Sequence, residues 1–241
     1  MTFHYENQKI KAGYKFVIGC DEVGRGCLAG PVVAAAVVLD LSCKLKDLRE
    51  VTDSKLLPPQ KREELSAIIK ENALAWSIAE VSQEQVDEIN IHNASLLAMK
   101  KAVEGLSIAV IPSECSRAEE SLKLGISEDK GSLRSPSAAL RLGRDDTANA
   151  FLFVDGKFSV PNLDIEQQAI IAGDNKVLSI AAASIIAKVY RDGLMQKFDK
   201  QYPKYNLAQH KGYATEHHRK MIIKHGLSPL HRLTFCQNLS V

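Results

Sequence analysis

The alternation of apolar and polar residues predicts short strands and longer helices in the first half of the chain. Two β-branched apolar runs, at 16–20 and 32–39, flank a glycine-rich turn and predict two strands. The second is nearly all apolar, so we expect it to be buried on both faces. The apolar residues at 56–72 recur with a helical period and predict a helix. A third strand is predicted at 76–81, and a helix in one or two pieces is predicted at 82–105.

The middle of the chain has a different composition. Residues 112–149 contain seven serines, few large apolar side chains and mixed charge, with weak periodicity. This pattern predicts a flexible surface insertion with one marginal helix near 138–142, and the alternative is a long ordered loop.

Strands and helices alternate in the rest of the chain. A fourth strand is predicted at 151–154 and a short fifth strand at 169–172. An alanine-rich helix follows at 178–198, then a loop at 202–214 and a last helix at 215–225, which begins at a threonine cap and ends before a glycine. The order predicts one α/β sheet with helices packed on it and a small helical tail.

Composition narrows the function classes. The chain has 241 residues, of which 45% are hydrophobic and 25% charged, as in ordinary soluble proteins. Its apolar stretches are too short or interrupted to span a membrane, and its first residues lack the apolar core typical of a secretory signal, so we expect neither feature. Five scattered cysteines without a C-x-x-C pair predict a reduced, cytoplasmic protein without a zinc site. The net charge is only +2, but five of the seven histidines follow residue 209 among lysines and arginines, which predicts a local basic surface.

Four carboxylates stand out by their positions. Asp21 and Glu22 follow the first strand, Asp155 follows the fourth, and Asp192 lies on the long helix. If the first and fourth strands are parallel neighbours, three acids meet at the carboxyl edge of the sheet. An all-oxygen cluster suits Mg²⁺ or Mn²⁺, and two such ions about 4 Å apart can activate water at a phosphodiester. The plain alternatives are a turn at Asp155-Gly156 and an exposed helix acid at Asp192.

Several blocks of sequence resemble ribonuclease HII, the bacterial type 2 ribonuclease H. The similar blocks, in matching order and spacing, are IGCDEVGRGCLAGPVVAAAVV at 18–38, TDSKL at 52–56, VDG at 154–156, GDNK through SIAAASIIAKVYRD at 173–192, and HKGYAT at 210–215. The resemblance covers nearly the whole chain except 112–149. It implies a ribonuclease H-like mixed sheet flanked by helices, with a catalytic domain at 1–200 and a helical substrate-binding part at 201–241.

The resemblance also implies an activity. The expected reaction is metal-dependent hydrolysis of the RNA strand in an RNA·DNA hybrid, including cleavage 5′ of a single ribonucleotide in duplex DNA, which leaves 3′-hydroxyl and 5′-phosphate ends. Asp21, Glu22, Asp155 and Asp192 would hold two ions, Mg²⁺ or Mn²⁺. A monomer is expected, because the sequence gives no sign of oligomerisation.

Substrate-binding residues follow from the same resemblance. Gly24, Arg25 and Gly26 match the family turn that contacts the ribose 2′-hydroxyl, the group that separates RNA from DNA. Tyr213 matches the family tyrosine at the RNA–DNA junction, and its alternative is a loop tyrosine packed on the sheet. Five basic residues are phosphate-contact candidates, for each of which an ordinary solvated charge is the alternative: Lys55, Lys188, Arg191, His210 and Lys211.

Two positions depart from the family pattern, and other classes of protein remain open. Cys27 stands where the family more often has proline, and Ala214 replaces a common glycine, so that a positive φ there would strain it. Ser184 is expected to serve close helix packing. The alternatives to the nuclease are a nucleic-acid-binding protein with a dead active site, and a DNA nuclease or recombinase on the same fold.

Overall fold

A mixed β-sheet forms the centre of the molecule. The computed structural model describes residues 3–39, 51, 54, 57–106, 132–134 (backbone) and 149–239. Within these ranges the sheet has six strands in the order β4-β3-β2-β1-β5-β6. The strands are β1 (Phe16–Val23), β2 (Val32–Leu39), β3 (Ala73–Val81), β4 (Ser132–Arg134), β5 (Ala150–Asp155) and β6 (Glu166–Ile170).

The register of the central strands positions the acids. β1 is antiparallel to β2 and parallel to β5, which confirms the predicted pairing of the first and fourth strands. Cys20 lies opposite Val154, and Asp21 and Asp155 each come one residue later on their strands. Both side chains therefore reach the same edge of the sheet.

Helices cover both faces of the sheet. The helices are α1 (His4–Lys11), α2 (Pro59–Asn72), α3 (Gln83–Glu104), α4 (Leu178–Gln201), α5 (Leu207–His210), α6 (Glu216–His225) and α7 (Leu233–Cys236). Alternate residues of β2 belong to two separate cores: Ala34 packs with α3 on one face, and Val33 packs with α2 and α4 on the other. This confirms that the second strand is buried on both faces.

Close packing of α4 on β1 depends on Gly19. A Cβ at this position would lie 2.1 Å from the backbone carbonyl carbon of Ser179, so any larger residue would force the helix away from the strand. Glu6 of α1 secures the start of the same helix, because its buried carboxylate accepts hydrogen bonds from the backbone N–H (2.8 Å) and hydroxyl (2.9 Å) of Ser179. Helix α1 was not predicted, since its polar sequence has no apolar stripe.

The carboxyl-terminal helices pack on the glycine-rich turn through a separate apolar cluster. Leu28 from the turn contacts Met195 of α4, with Leu207, Ile222 and Leu230 from the tail. The tail and the turn therefore share one core. The predicted division at residue 200 stays a prediction.

Several element boundaries differ from the prediction. β1 continues to Val23, so Asp21 and Glu22 lie within the strand rather than after it. β6 starts earlier than expected, and α7 follows the helix predicted to be last. α3 is kinked at Asn90 (φ 66°), so it is two pieces. β4 falls inside the predicted flexible insertion; the rest of that insertion, with its marginal helix, lies outside the described residues.

Candidate functional site

Two carboxylates from β1 and one from β5 form an acidic group at the sheet edge. Burial, followed by the nearby Glu22 and Asp155 carboxylates, raises the pKa of Asp21 well above its ordinary value. Burial also raises the pKa of Glu22, although its ion pair with Arg25 at 3.0 Å opposes the effect. One oxygen of Glu22, Oε2, is buried and has no hydrogen-bond partner. Such a group of repelling, desolvated acids favours a bound cation.

The segment after β6 completes the surroundings of Asp155. The Gly173 N–H donates to Asp155 Oδ1 at 2.7 Å, from a short 3₁₀ turn at Gly173–Asn175. Asp174 in this turn is buried, and its charge also raises the pKa of Asp21. Asp174 was not predicted as a site residue, although it lies in one of the blocks that resemble the family.

Asp192 is held by two cations. Lys188 Nζ lies 2.8 Å from one carboxylate oxygen, and Arg62 Nη2 lies 3.6 Å from the other. Arg62 Nη1 also donates to the carbonyls of Ser54 (2.9 Å) and Leu57 (2.6 Å). Arg62 therefore links Asp192 to the backbone at Ser54. This link is not predictable from the sequence, because an arginine on a polar helix is usually solvated.

Ser184 has a polar role as well as a packing one. Its hydroxyl lies 3.0 Å from the Ser54 hydroxyl, and a hydrogen bond from Ser184 lowers the pKa of Asp21, against the effect of burial. The sequence-based expectation of packing alone is therefore incomplete. Through Ser184, the α4 helix links Asp21 to the segment that contains Ser54.

In the parts of the chain that the structure describes, no three His, Cys, Asp or Glu side chains form a ready-made cage for an ion. Asp21, Glu22 and Asp155 nevertheless influence one another electrostatically, and their oxygens are the ligand type that Mg²⁺ and Mn²⁺ prefer. These residues fit such an ion; the convergence of Asp192 on the same point stays a prediction.

The glycine-rich turn presents bare backbone beside the acids. Gly24 has φ +95°, and a Cβ there would lie 2.3 Å from Arg191 Nε, so glycine is required. Gly26 is different, because a Cβ on it would meet no atom within 4 Å and its φ is not positive. The Cys27 N–H donates to the Gly24 carbonyl at 3.4 Å, a bond that proline at this position could not make.

Tyr213 lies next to this turn. An isolated antiparallel bridge joins its backbone to Cys27, and its side chain is 40% exposed. Lys188 Nζ lies 5.8 Å from the centre of the ring. Ala214 is not among the residues with positive φ, so the strain considered for that position does not occur.

Two of the predicted phosphate contacts are buried side chains in this structure. Arg191 is fully buried, and its guanidinium donates to the carbonyls of Ala29 (3.1 Å), Pro31 (3.1 Å) and Lys211 (2.8 Å). His210 is also buried, with Nε2 bonded to the Tyr205 carbonyl and Nδ1 accepting from the Gly212 N–H. Both groups bind backbone instead of facing solvent.

The three remaining basic candidates differ in position. Lys188 is paired with Asp192 near Tyr213. Lys211 is partly buried, and burial lowers its pKa. Lys55 lies outside the described residues. Phosphate contact stays a prediction for all three.

A second buried arginine supports the turn from the carboxyl-terminal side. Arg232 donates to the Gly30 carbonyl through Nε (3.1 Å) and Nη2 (2.8 Å), and to the Arg25 carbonyl through Nη1 (2.9 Å). Burial lowers its pKa to about 10, so it stays charged at neutral pH. Arg232, which belongs to the predicted basic surface, is therefore inside the protein instead.

Comparisons with known proteins show which family the chain is similar to. The family model described as Ribonuclease HII matches residues 18–123 and 141–238. The unmatched stretch, 124–140, is shorter than the insertion predicted at 112–149. A ribonuclease HII from Alkaliphilus metalliredigens is 41% identical over 97% of this chain and 96% of its own length. One from Borrelia duttonii is 43% identical over 91% of this chain and 98% of its own length.

Solved structures share the fold at lower identity. The ribonuclease H2 of Pyrococcus horikoshii superimposes with a TM-score of 0.62 at 22% identity, over 93% of this chain and 96% of that one. Bst-RNase HIII, solved in complex with Mn²⁺, gives 0.56 at 18% identity over 96% and 71%. The fold is thus ribonuclease H-like. With the match of the family model over most of its length and relatives about 40% identical, the chain belongs to the ribonuclease HII family and is a type 2 ribonuclease H, an endoribonuclease.

Proposed function

We propose that the protein hydrolyses the RNA strand of RNA·DNA hybrids and cuts 5′ of single ribonucleotides embedded in duplex DNA, leaving 3′-hydroxyl and 5′-phosphate ends. One observation carries the proposal: a group of three carboxyls, of which Asp21 is buried and Glu22 and Asp155 are partly buried, lies beside a turn whose backbone is exposed and unobstructed at Gly26, and Tyr213 is bridged to that turn. A site that reads a sugar hydroxyl needs backbone that a ribose can approach closely.

The acids supply the reactive end of the site. Asp21, Glu22, Asp155 and Asp192 would hold two divalent ions, Mg²⁺ or Mn²⁺. When bound, such ions activate a water and neutralise charge on the leaving oxygen of a phosphodiester. The unpartnered Glu22 Oε2 and the raised pKa of Asp21 support this assignment, because a bound cation would stabilise both that oxygen of Glu22 and the buried carboxyl of Asp21. The Ser184 hydrogen bond and the Gly173 N–H orient two of the carboxylates before substrate arrives.

The turn and Tyr213 supply selectivity. Backbone groups at Gly24, Arg25 and Gly26 would contact the 2′-hydroxyl, and the Tyr213 ring would pack against the sugar at the RNA–DNA junction. An aromatic surface can bind a sugar or base face without reading sequence. Lys188 and Lys211 would contact phosphates and so position the duplex.

A paired-substrate assay tests the proposal. One 5′-labelled duplex is all DNA, and its partner has the same sequence with a single ribonucleotide. We expect cleavage of the second alone, on the 5′ side of the ribonucleotide, dependent on Mg²⁺ or Mn²⁺. Equal cutting of both duplexes would favour the alternative of a DNA nuclease, and binding without cutting would favour a nucleic-acid-binding protein.

Cellular context and assembly belong to the same proposal. Cys20, Cys27 and Cys236 are buried free thiols, which supports a reducing cytoplasm. No helix within the described ranges has both the length and the apolar character needed to cross a bilayer. We propose a monomer that acts in ribonucleotide removal and DNA replication, and sedimentation of the purified protein tests its assembly state.

A further inference from the structure

Three buried histidines lie directly behind Tyr213. His218 of α6 places Nδ1 2.9 Å from the Tyr213 carbonyl, and its Nε2 lies 3.2 Å from Nε2 of His231. His231 Nδ1 lies 2.9 Å from the backbone N–H of Ser228. The ring of His210 stacks on that of His218, with centroids 4.1 Å apart. None of these rings faces solvent, so they act within the protein.

The direction of each hydrogen bond follows from the end groups. A carbonyl oxygen only accepts, so His218 carries its proton on Nδ1 and donates it to Tyr213. Nε2 of neutral His218 is then an acceptor and takes a proton from Nε2 of His231. Nδ1 of His231 accepts from Ser228, as required. One set of tautomers therefore satisfies the whole chain of bonds from Ser228 to Tyr213.

The bond to the Tyr213 carbonyl belongs to a set of bonds that hold residues 211–213. Arg191 Nη1 donates to the Lys211 carbonyl and the Leu28 N–H donates to the Gly212 carbonyl, both at 2.8 Å. The Tyr213 carbonyl also accepts the Thr215 N–H at 2.8 Å, and the Tyr213 N–H donates to the His210 carbonyl at 2.9 Å. These last two bonds are local. The bond from His218 joins the Tyr213 peptide to a buried side chain beneath it, and the Cys27 bridge joins the same peptide to the turn.

We propose that His218 is a positioning residue that holds Tyr213 against the Gly-Arg-Gly turn and thereby sets the preference for a ribonucleotide–DNA junction over a long hybrid. The inference rests on the proposed function, because it assigns Tyr213 to the junction. The hydrogen bond from Nδ1 carries the effect, and the bond from Nε2 to His231 mainly stabilises the fold.

Two substitutions separate the two nitrogens. In His218→Asn, the side-chain amide nitrogen is separated from Cα by the same number of bonds as Nδ1 of histidine. It can therefore still donate to the Tyr213 carbonyl. In His218→Gln the amide nitrogen matches Nε2 instead, and the donor to Tyr213 is lost. Both variants give up one buried hydrogen bond, so we expect similar losses of melting temperature. His217→Gln, the same change at the adjacent exposed histidine, is the control.

The readout is the ratio of kcat/KM on a single embedded ribonucleotide to that on a long hybrid. His218→Gln should lower this ratio about tenfold, the effect of one misplaced hydrogen-bonded group. His218→Asn and His217→Gln should keep it near the wild-type value. Equal losses in the Asn and Gln variants, or no loss in either, would overturn the proposal.

A second measurement distinguishes failure of this inference from failure of the proposed function. Tyr213→Ala gives the ratio without the ring, and an unchanged ratio there would refute the junction role itself. Independently, NMR relaxation of the Tyr213 ring should show greater mobility in His218→Gln than in His218→Asn. A ring equally ordered in both variants would refute the positioning role whatever the substrate preference.

Discussion

Gly26→Ala separates a structural requirement for glycine from a functional one. The added methyl group would meet no protein atom within 4 Å, and the φ of Gly26 is not positive, so the folded state accommodates alanine. Replacing glycine at such a position removes freedom from the unfolded chain and stabilises a protein by about 0.4–1 kcal/mol. We therefore expect an unchanged or slightly higher melting temperature.

The same methyl group should impair catalysis. It would stand where a ribose has to approach the backbone, and a lost or lengthened hydrogen bond to the 2′-hydroxyl costs about 1–3 kcal/mol. This corresponds to a fall in kcat/KM of roughly 5- to 150-fold on ribonucleotide-containing duplex. Affinity for an all-DNA duplex of the same sequence should change little, since that duplex has no 2′-hydroxyl to lose.

The measurement combines calorimetry with single-turnover cleavage on the paired duplexes. Gly24→Ala is the matched comparison, because its Cβ would collide with Arg191 and its φ is +95°; it should lose both stability and activity. If Gly26→Ala retained wild-type cleavage, the backbone of this turn would not contact the ribose. If Gly26→Ala unfolded, the premise that the folded state has room for a methyl group at this position would be refuted.

Three further predictions concern other parts of the molecule. Asp155→Asn should abolish cleavage while leaving hybrid binding within a few-fold of wild type in a gel-shift assay; retained turnover would exclude a metal role. Arg191→Met should lower the free energy of unfolding by about 3 kcal/mol, because the carbonyls that its guanidinium bonds would be left buried without donors, and urea denaturation measures this; an unchanged midpoint would contradict it. Burial lowers the pKa of His218 from 6.5 to about 4, with His210 and His231 shifted in the same direction, so the unfolded chain binds more protons below pH 6.5. These histidines should therefore leave stability unchanged well above that pH and lower it by roughly 2 kcal/mol by about pH 4.5, whereas Asp21 and Glu22, with raised pKa values, act in the opposite direction. The measurement is therefore the difference from His218→Asn, which should lose less stability than wild type in thermal melts across this range.

The adjacency of the acid-bearing strands was predictable from sequence. Asp21 and Asp155 each end an apolar run, and parallel strands bring such ends to one edge, as the register confirms. The Gly-Arg-Gly turn was also predictable, because glycine spacing is a local signal. Each of these signals lies within a short local stretch, although the two strands themselves are far apart in the chain.

The buried arginines were not predictable for the opposite reason. Arginine is among the residue types least expected in a core, and nothing in the sequence next to Arg191 or Arg232 indicates that either is buried. Their partners are carbonyls at 25–31 and 211, from 20 to more than 200 residues away. Arg62 was missed on the same ground, since its bond to Asp192 joins two helices. Long-range pairing of a charge with backbone has no signature in composition or periodicity.

The single hydrogen atom that serves as the side chain of Gly19 has a mechanical consequence for the enzyme. Asp21 lies two positions along the same strand, and Asp192 lies on the helix that presses against that hydrogen atom. A methyl group in its place would push α4 away from β1, and so move Asp192 away from Asp21. The spacing of the acids that we propose to hold the ions therefore depends on a glycine that is not one of them.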